Sequence, residues 1–478
     1  MSKNKSSAIE LLNIAPGLYW LSIEEPNLRL LGGVIPDAMK HLAAKDMISP
    51  YYIKDVYSEH GPNTILLNEE LYVQGMVANL SEFPILQMLY MQGMGLSFHP
   101  NFKEEEPLII GLKERVESQL KYINYGNNGL NYLEMVTSDL PIDKVELWYY
   151  MKARFAGTVN VDRLINTLYI KNRPLEIKPG VMLDRKEKNV YQITYKGQSV
   201  VIDLNLDKNI SYGPIYQFKK RSLPQATFAV VNTGTGDGWN FKEHCFGSLL
   251  VYNNHPYLVD CEIFTQHSLD CLSTSQDKLK GIFMTHAHDD HMSGLPTIYH
   301  KGKPILIYAT NLIYHSLMYK IMALIGISES EYRNIFKHHE LVYDKWNDVQ
   351  GLEVKPVHSA HPIETSIFFF RVKDEDGIYK TYAHLGDVAP LKMINDFRSS
   401  AITDSERNFY DKMIKDYMKP VDLKKIDIGG GMIHGDVSDF NNDESTKIVL
   451  GHYHRELTSD DLKVGVSQKF GDCDILIP

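Results

Sequence analysis

The feature that most constrains this chain is an abrupt change of character at residue 285. The apolar run "GIFMT" (281–285) leads straight into "HAHDDH", three histidines and two aspartates between His286 and His291. A short apolar run of this kind reads as a buried strand, and "HMSGLPTIY" after it reads as the start of a helix. The polar cluster therefore falls on a strand-to-helix loop, where a rigid scaffold can hold chemistry in place. Residues two apart in extended chain face the same way, so His286 and His288 can converge on one cation. Asp290 and His291, near the helix start, can reach a second. A solvated polar loop is the plain alternative; an isolated HxH would leave it open, whereas HxHxDH directly after an apolar strand argues against it. Imidazole and carboxylate ligands suit Zn²⁺, Mn²⁺ or iron, and a pair of adjacent ions suits hydrolysis of phosphate esters.

At 478 residues the chain exceeds one ordinary core, so two domains are expected. Hydrophobic residues make up 44% and charged residues 23%, the balance of a globular protein. The formal net charge of −10 argues against gripping long nucleic acid through a broad basic surface. It leaves room for a small phosphate-bearing substrate in a locally positive cleft. The four cysteines (Cys245, Cys261, Cys271, Cys473) form no CxxC pair, so neither a disulfide framework nor a cysteine zinc finger is indicated. "MSKNKSSAIELLNIAPG" at the start has no apolar run fit for a signal peptide, and no stretch approaches a membrane span. A cytoplasmic protein without a membrane partner is expected.

Histidine usage divides the molecule: His41, His60 and His99 precede residue 220, and the other sixteen lie beyond 240. In the first portion "PDAMKHLAAKDM", "SEFPILQMLYMQGM" and "LKERVESQLKYI" have helical apolar spacing, while "NVYQITYKGQSVVIDLNL" predicts a hairpin turning at Lys196-Gly197. The Met- and Leu-rich face of the second of these reads as core. The basic, Pro-containing "KKRSLPQATFAVV" suggests a boundary: a mixed α/β domain over 1–220, for interaction, dimerisation or sensing, and a second domain over 221–478. There, strands "TFAVVNT", "GSLLVYN" and "PYLVD" come first, then strands interleaved with helices. That order suggests two sheets enclosed by helices rather than one Rossmann sheet. No internal repeat is visible.

"THAHDDHMSGL" resembles the signature loop of the metallo-β-lactamase superfamily. The surrounding stretches "VVNTGTGDGWN", "FGSLLVYNNHPYLVDCE" and "FMTHAHDDH" resemble its ribonuclease Z-like and cyclic-nucleotide phosphodiesterase branch, over about residues 226–455. The resemblance implies an α+β protein whose C-terminal domain is an αβ/βα sandwich with two divalent metal ions at one edge, zinc first, manganese or iron as alternatives. It implies His286, His288 and His361 on one ion, Asp290, His291 and His452 on the other, and Asp387 of "HLGDVAP" between them. In "VHSAHPIETSIFFFRV" His361 is chosen over His358 for its spacing before the Ser-x-aromatic run. In "KIVLGHYH" His452 is chosen, with His454 as the alternative. His358 and His384 are expected to support or lie at the surface, and Asp260 to orient ligands. Glu262 stands where the superfamily has glycine.

The same resemblance makes Asp290 a catalytic residue that orients the attacking water, and His434 of "IDIGGGMIHGD" a general acid. The family's neighbouring Glu is replaced by Gly435 and Asp436, so whatever tunes His434 has to come from elsewhere; a turn histidine after a glycine run is the plain reading. "GTGDG" (234–238) lacks P-loop spacing and reads as a tight turn by the cleft; "KHHE" (337–340) reads as a solvated turn. The function expected is hydrolysis of a small phosphodiester, a nucleotide, cyclic nucleotide or RNA end, by a possible homodimer. A diiron redox protein, which would carry Glu in place of His288, and a thioester or lactone hydrolase are the alternatives.

Overall fold

The computed structural model describes residues 8–48, 61–97, 99, 101–138, 140–155, 159–210, 212–431 and 433–478. Among these the chain forms two compact units. The first comprises residues up to Asn124, Val159–Gly213 and Ala323–Gly326; the second comprises Tyr125–Thr158, Pro214–Met322 and Ile327–Pro478.

The second unit is built on strands buried on both faces. "SIFFFRVK" (Ser366–Lys373) shows why: Phe368 and Phe370 point into one core, Ile367 and Phe369 into another, the two-residue alternation of a strand. Its sheet runs Asn347–Val349, Leu352–His358, Ser366–Lys373, Tyr379–His384, Leu423–Asp427, Lys447–Gly451, antiparallel until the last two parallel pairings. A seven-stranded sheet faces it. Its order is Phe336–Glu340, Ile305–Ala309, Ile282–Phe283, His255–Val259, Gly247–Tyr252, Phe228–Gly234, Cys473–Ile477. Phe228, Leu250, Phe283 and Tyr308 of one sheet share a core with Val354, Phe368, Phe370 and Tyr382 of the other. On the outer face of the six-stranded sheet, Ile367, Phe369, Ala383 and Ile426 pack against Phe409, Tyr410 and Met413 of helix Asp404–Tyr417. This is the αβ/βα sandwich.

A division at 220 leaves helices Tyr132–Val136 and Ile142–Ala153 on the wrong side. Leu130, Met135, Val145, Leu147, Trp148 and Met151 are buried in that outer core, so apolar burial assigns this segment to the second unit. "KHHE" also departs from expectation. It belongs to the edge strand Phe336–Glu340, parallel to Ile305–Ala309, and His338 stacks on Tyr314 with ring centroids 4.0 Å apart. One face of an edge strand stays wet, which gives it the composition of a turn.

The first unit repeats this plan. Glu10–Ala15, Leu18–Ile23, Leu28–Gly32, Thr64–Leu66, Leu108–Gly111 and Asn166–Tyr169 form a sheet with two antiparallel pairings followed by three parallel ones. The strands from Phe228–Gly234 to Phe336–Glu340 have the same sequence of pairings. A four-stranded antiparallel sheet, Leu175–Lys178 to Gln198–Asp203, shares its core, with the hairpin turn at Lys196 and Gly197, both of positive φ. The repeat is one of topology, carried by the pattern of apolar residues rather than their identities. No helix among the described residues is long and apolar enough to cross a membrane.

His358 lies within the outer core. Trp148 Nε1–H donates to its Nδ1 at 2.8 Å and Tyr343 stacks on the ring, while burial pushes its pKa down to about 3. Its folded pKa is below the unfolded value of about 6.5, so the unfolded chain takes up the proton first. The associated stability is complete above pH 6.5 and lost as the pH falls toward 3. Urea unfolding followed by tryptophan fluorescence should show a midpoint that falls between pH 7 and pH 5. His358→Gln, which keeps an acceptor but cannot charge, should flatten that fall; an unchanged slope would refute the assignment.

Candidate metal centre

In the six-stranded sheet the strands ending at His358, His384, Asp427 and Gly451 run in one direction, so the loops that follow them emerge at one edge. Four polar segments meet there: 285–291, 361–365, Asp387 with Asp427 and His434, and His452. His286 and His288 lie on the loop, and Asp290 and His291 in the short helix Asp289–Met292. His286 is joined by a bridge to Thr365, which draws His361 alongside.

The outward-facing nitrogens of these rings are already engaged. Thr285 Oγ1–H donates to Asp260, leaving its oxygen to accept from His286 Nδ1 at 2.9 Å. Backbone carbonyls accept from His288 Nε2 (Gly126 O, 3.0 Å) and His361 Nδ1 (Ile433 O, 3.2 Å). Asp260 Oδ2 lies 2.8 Å from His291 Nδ1. A carbonyl can only accept, so the proton of each of those rings sits on its outer nitrogen and the inner nitrogen presents a lone pair. His286 Nε2, His288 Nδ1 and His361 Nε2 then converge, with both His286 and His361 3.1 Å from His288 Nδ1. Three lone pairs at that spacing repel one another unless a cation lies among them. The ligand atoms of His286, His288, His361 and Asp387 all fall within 4.8 Å of one another, as do those of Asp290, His291 and His452.

Asp387, fully buried, stands between the two groups. Its Oδ2 is 3.5 Å from both His286 Nε2 and His361 Nε2, and its Oδ1 is 3.1 Å from His291 Nε2 and 3.4 Å from His452 Nε2. Burial opposes its charge, but His452, His291 and His286 outweigh it and hold the carboxyl well below its ordinary range. Burial keeps His288 and His361 well below the usual histidine value, with neighbouring imidazoles adding to it and Asp387 opposing it, hence neutral and able to ligate. His291 and His452 differ: burial works against their charge, yet Asp387 and other carboxylates raise both, His452 to about 10. His291 Nε2, Asp387 Oδ1 and His452 Nδ1 are buried without a hydrogen bond. Two divalent cations fit this donor set.

Seven expected residues are thus brought together. His454 is drawn away: its Nδ1 bonds to Asp237 of the "GTGDG" turn, which also caps the backbone of Trp239 and Asn240. His384 is buried below the centre, 3.9 Å from Asp260. Asp289, the first aspartate of the loop, pairs with buried Lys320 at 3.1 Å and joins neither group. The residue the sequence reading missed is Asp427. Its Oδ2 is 3.0 Å from His434 Nδ1, and its Oδ1 is 3.5 Å from His452 Nδ1. An aspartate closing the strand "LKKID" just before a glycine run was the available signal.

The fold and this edge cluster are those expected of the metallo-β-lactamase superfamily, and the sequence of the second unit is similar to its ribonuclease Z-like branch. Residues 228–384 match the family model of the anti-Pycsar protein Apyc1. A ribonuclease Z from Shouchella clausii (strain KSM-K16) is 27% identical over 153 residues, 30% of this chain and 47% of that protein. The cAMP/cGMP-dependent 3′,5′-cAMP/cGMP phosphodiesterase B of Dictyostelium discoideum is 23% identical over 213 residues, 43% of this chain and 19% of its own. Among solved structures, human tRNase Z, short form (ELAC1), aligns with 52% of this chain and 99% of its own at 18% identity and a TM-score of 0.36. The chain spans less than half the length of the two sequence relatives.

Chelator-stripped protein reloaded with Zn²⁺ should hold two ions per chain by plasma mass spectrometry. Asp387→Ala removes the carboxylate between the groups and should weaken both sites beyond the roughly 10–100-fold that loss of a supporting partner costs. Two tightly held ions in that variant would rule out a shared ligand.

Proposed function

We propose that the second unit is a dinuclear metal-dependent phosphodiesterase acting on a compact substrate, a cyclic nucleotide or short oligonucleotide. The observation that carries this reading is the pair of ligand groups sharing Asp387 at a sheet edge. Hydrolysis of phosphodiesters is supported by the relatives, named as a ribonuclease Z and a cyclic-nucleotide phosphodiesterase. The net charge of −10 favours a small substrate over a long RNA.

His286, His288 and His361 would hold one cation, Asp290, His291 and His452 the other, with Asp387 common to both. Such a pair, zinc being the first choice, lowers the pKa of water and neutralises phosphoryl oxygens. The remaining work falls to side chains. Asp290, 3.0 Å from His452 Nε2, accepts a hydrogen bond from the attacking water and aims it. Asp427 accepts from His434 Nδ1 and fixes the ring, leaving Nε2 to pass a proton to the departing oxygen. Asp427 thereby takes the place of the Glu that Gly435 replaces in the chain. His434 is the partly exposed member of the cluster, as a group that meets substrate must be.

The test compares bis(p-nitrophenyl) phosphate, cyclic mononucleotides and precursor tRNA with the zinc-loaded protein. Asp290→Ala should abolish turnover. His434→Ala should lower kcat on cyclic nucleotides by about 10²–10⁴-fold, the usual contribution of a general acid. It should do far less to the p-nitrophenyl ester, whose leaving group departs as a stable anion. Equal losses on both substrates would remove His434 as the acid; no phosphodiester cleavage by the loaded wild type would refute the reading.

A further inference from the structure

The part of the second unit that begins at Tyr125 meets the metal centre at the carbonyl oxygen of Gly126, 3.0 Å from His288 Nε2. Gly126 lies in the last turn of helix Lys113–Asn128. Carbonyls in that turn have no partner within the helix and carry its negative partial charge. The chain leaves the helix through Gly129, at φ 62°, where a Cβ would fall 2.4 Å from Glu364 Oε2. The helix end is thus built to lie against that carboxylate.

Glu364 is fully buried three residues beyond His361, and it anchors the same turn. It accepts from the backbone N–H of Leu130 at 3.1 and 3.2 Å and from Ser316 Oγ at 3.0 Å. It is also ion-paired to Lys152 of helix Ile142–Ala153. Lys152 Nζ donates in turn to Leu130 O at 2.7 Å. Both the N–H and the carbonyl of Leu130 are therefore tied to one buried ion pair. Removing one partner of such a pair is costly, so the pair resists displacement.

We infer that this segment is a positioning clamp for the metal centre: Lys152 and Glu364 lock the helix end so that Gly126 O holds the Nε2 proton of His288. This rests on the reading of His288 as a ligand given above. The consequence is specific to one ring. With Nε2–H committed to a carbonyl, His288 offers Nδ1 to the cation it shares with His286 and His361, and no other tautomer is available to it. His291 and His452, in the other group, make no contact with the clamp. Lys152 and Glu364 are positioning residues; neither meets substrate.

The experiment is titration of the full chain with Zn²⁺ against a chromophoric chelator, together with the visible spectrum of the Co²⁺ form. Lys152→Met/Glu364→Gln replaces the ion pair by neutral groups of similar size and avoids an orphaned buried charge. Gly129→Ala, with a Cβ driven into Glu364, is the second variant should the first not fold. In either, one of the two ions should bind roughly 10–100-fold more weakly, the scale for loss of a partner that orients a ligand. The Co²⁺ bands of that ion should shift, while the other ion keeps wild-type affinity and spectrum. Unchanged affinity and spectra for both ions, or an equal loss at both, would overturn the clamp. Failure of the wild type to bind Zn²⁺ would instead overturn the metal centre itself, and the clamp with it.

Discussion

Everything at the sheet edge depends on a carboxylate that water does not reach. Asp387 is enclosed by the rings of His286, His291, His361, His434 and His452, all within 3.6 Å of one of its oxygens. A buried charge is tolerable only with compensation at close range. Here compensation comes from rings belonging to separate loops. The strands that carry those loops must therefore stay in register, and the sandwich core, with Phe283, Phe368 and Phe370 in contact, is what keeps them there.

Around that carboxylate the protein spends strain and hydrogen bonds on orientation. Asp260 is held at φ 66° and His452 at φ 59°, in a region that side chains other than those of glycine rarely occupy. Such conformations cost of order 1–3 kcal/mol and persist where the surroundings over-determine them. Asp260 shows what is gained: one carboxylate receives the N–H and hydroxyl of Thr285 and faces His291 Nδ1, so it sets two rings at once. Lys320 does the same for the loop backbone by donating to Ala287 O while pairing with Asp289. Asp289 shapes the loop that its neighbour Asp290 uses.

The first unit makes the contrast plain. The loop after its fourth strand, Thr64–Leu66, corresponds in pairing order to the one carrying "HAHDDH", yet reads "LNEEL". Its Glu69 is occupied by Arg185 (2.7 Å to each oxygen) and by Tyr191 and the backbone of Asn189. The same topology thus closes on an ion pair in one unit and on an open donor set in the other. Apolar alternation specifies the sheet; the polar residues at its edge specify what the sheet is for.

The primary structure by itself determined the strand-to-helix placement of His286, His288, Asp290 and His291, because period and composition act over a few neighbouring residues. The family resemblance, rather than any local pattern, pointed to His361, Asp387, His434 and His452. Tertiary structure decided the rest. Asp427 stands in the same stretch as His434, yet its part became visible only because its strand runs beside the one ending at Gly451. Residues 125–158 sit far from the loop in the chain, and only burial of Trp148 and its neighbours assigns them to the second unit. His454 bonds to Asp237, more than two hundred residues away, while His452 lies beside Asp290 and Asp387. Ligand identity is a property of residue type, but ligand convergence is a property of distances, and those exist only once the sheets have closed.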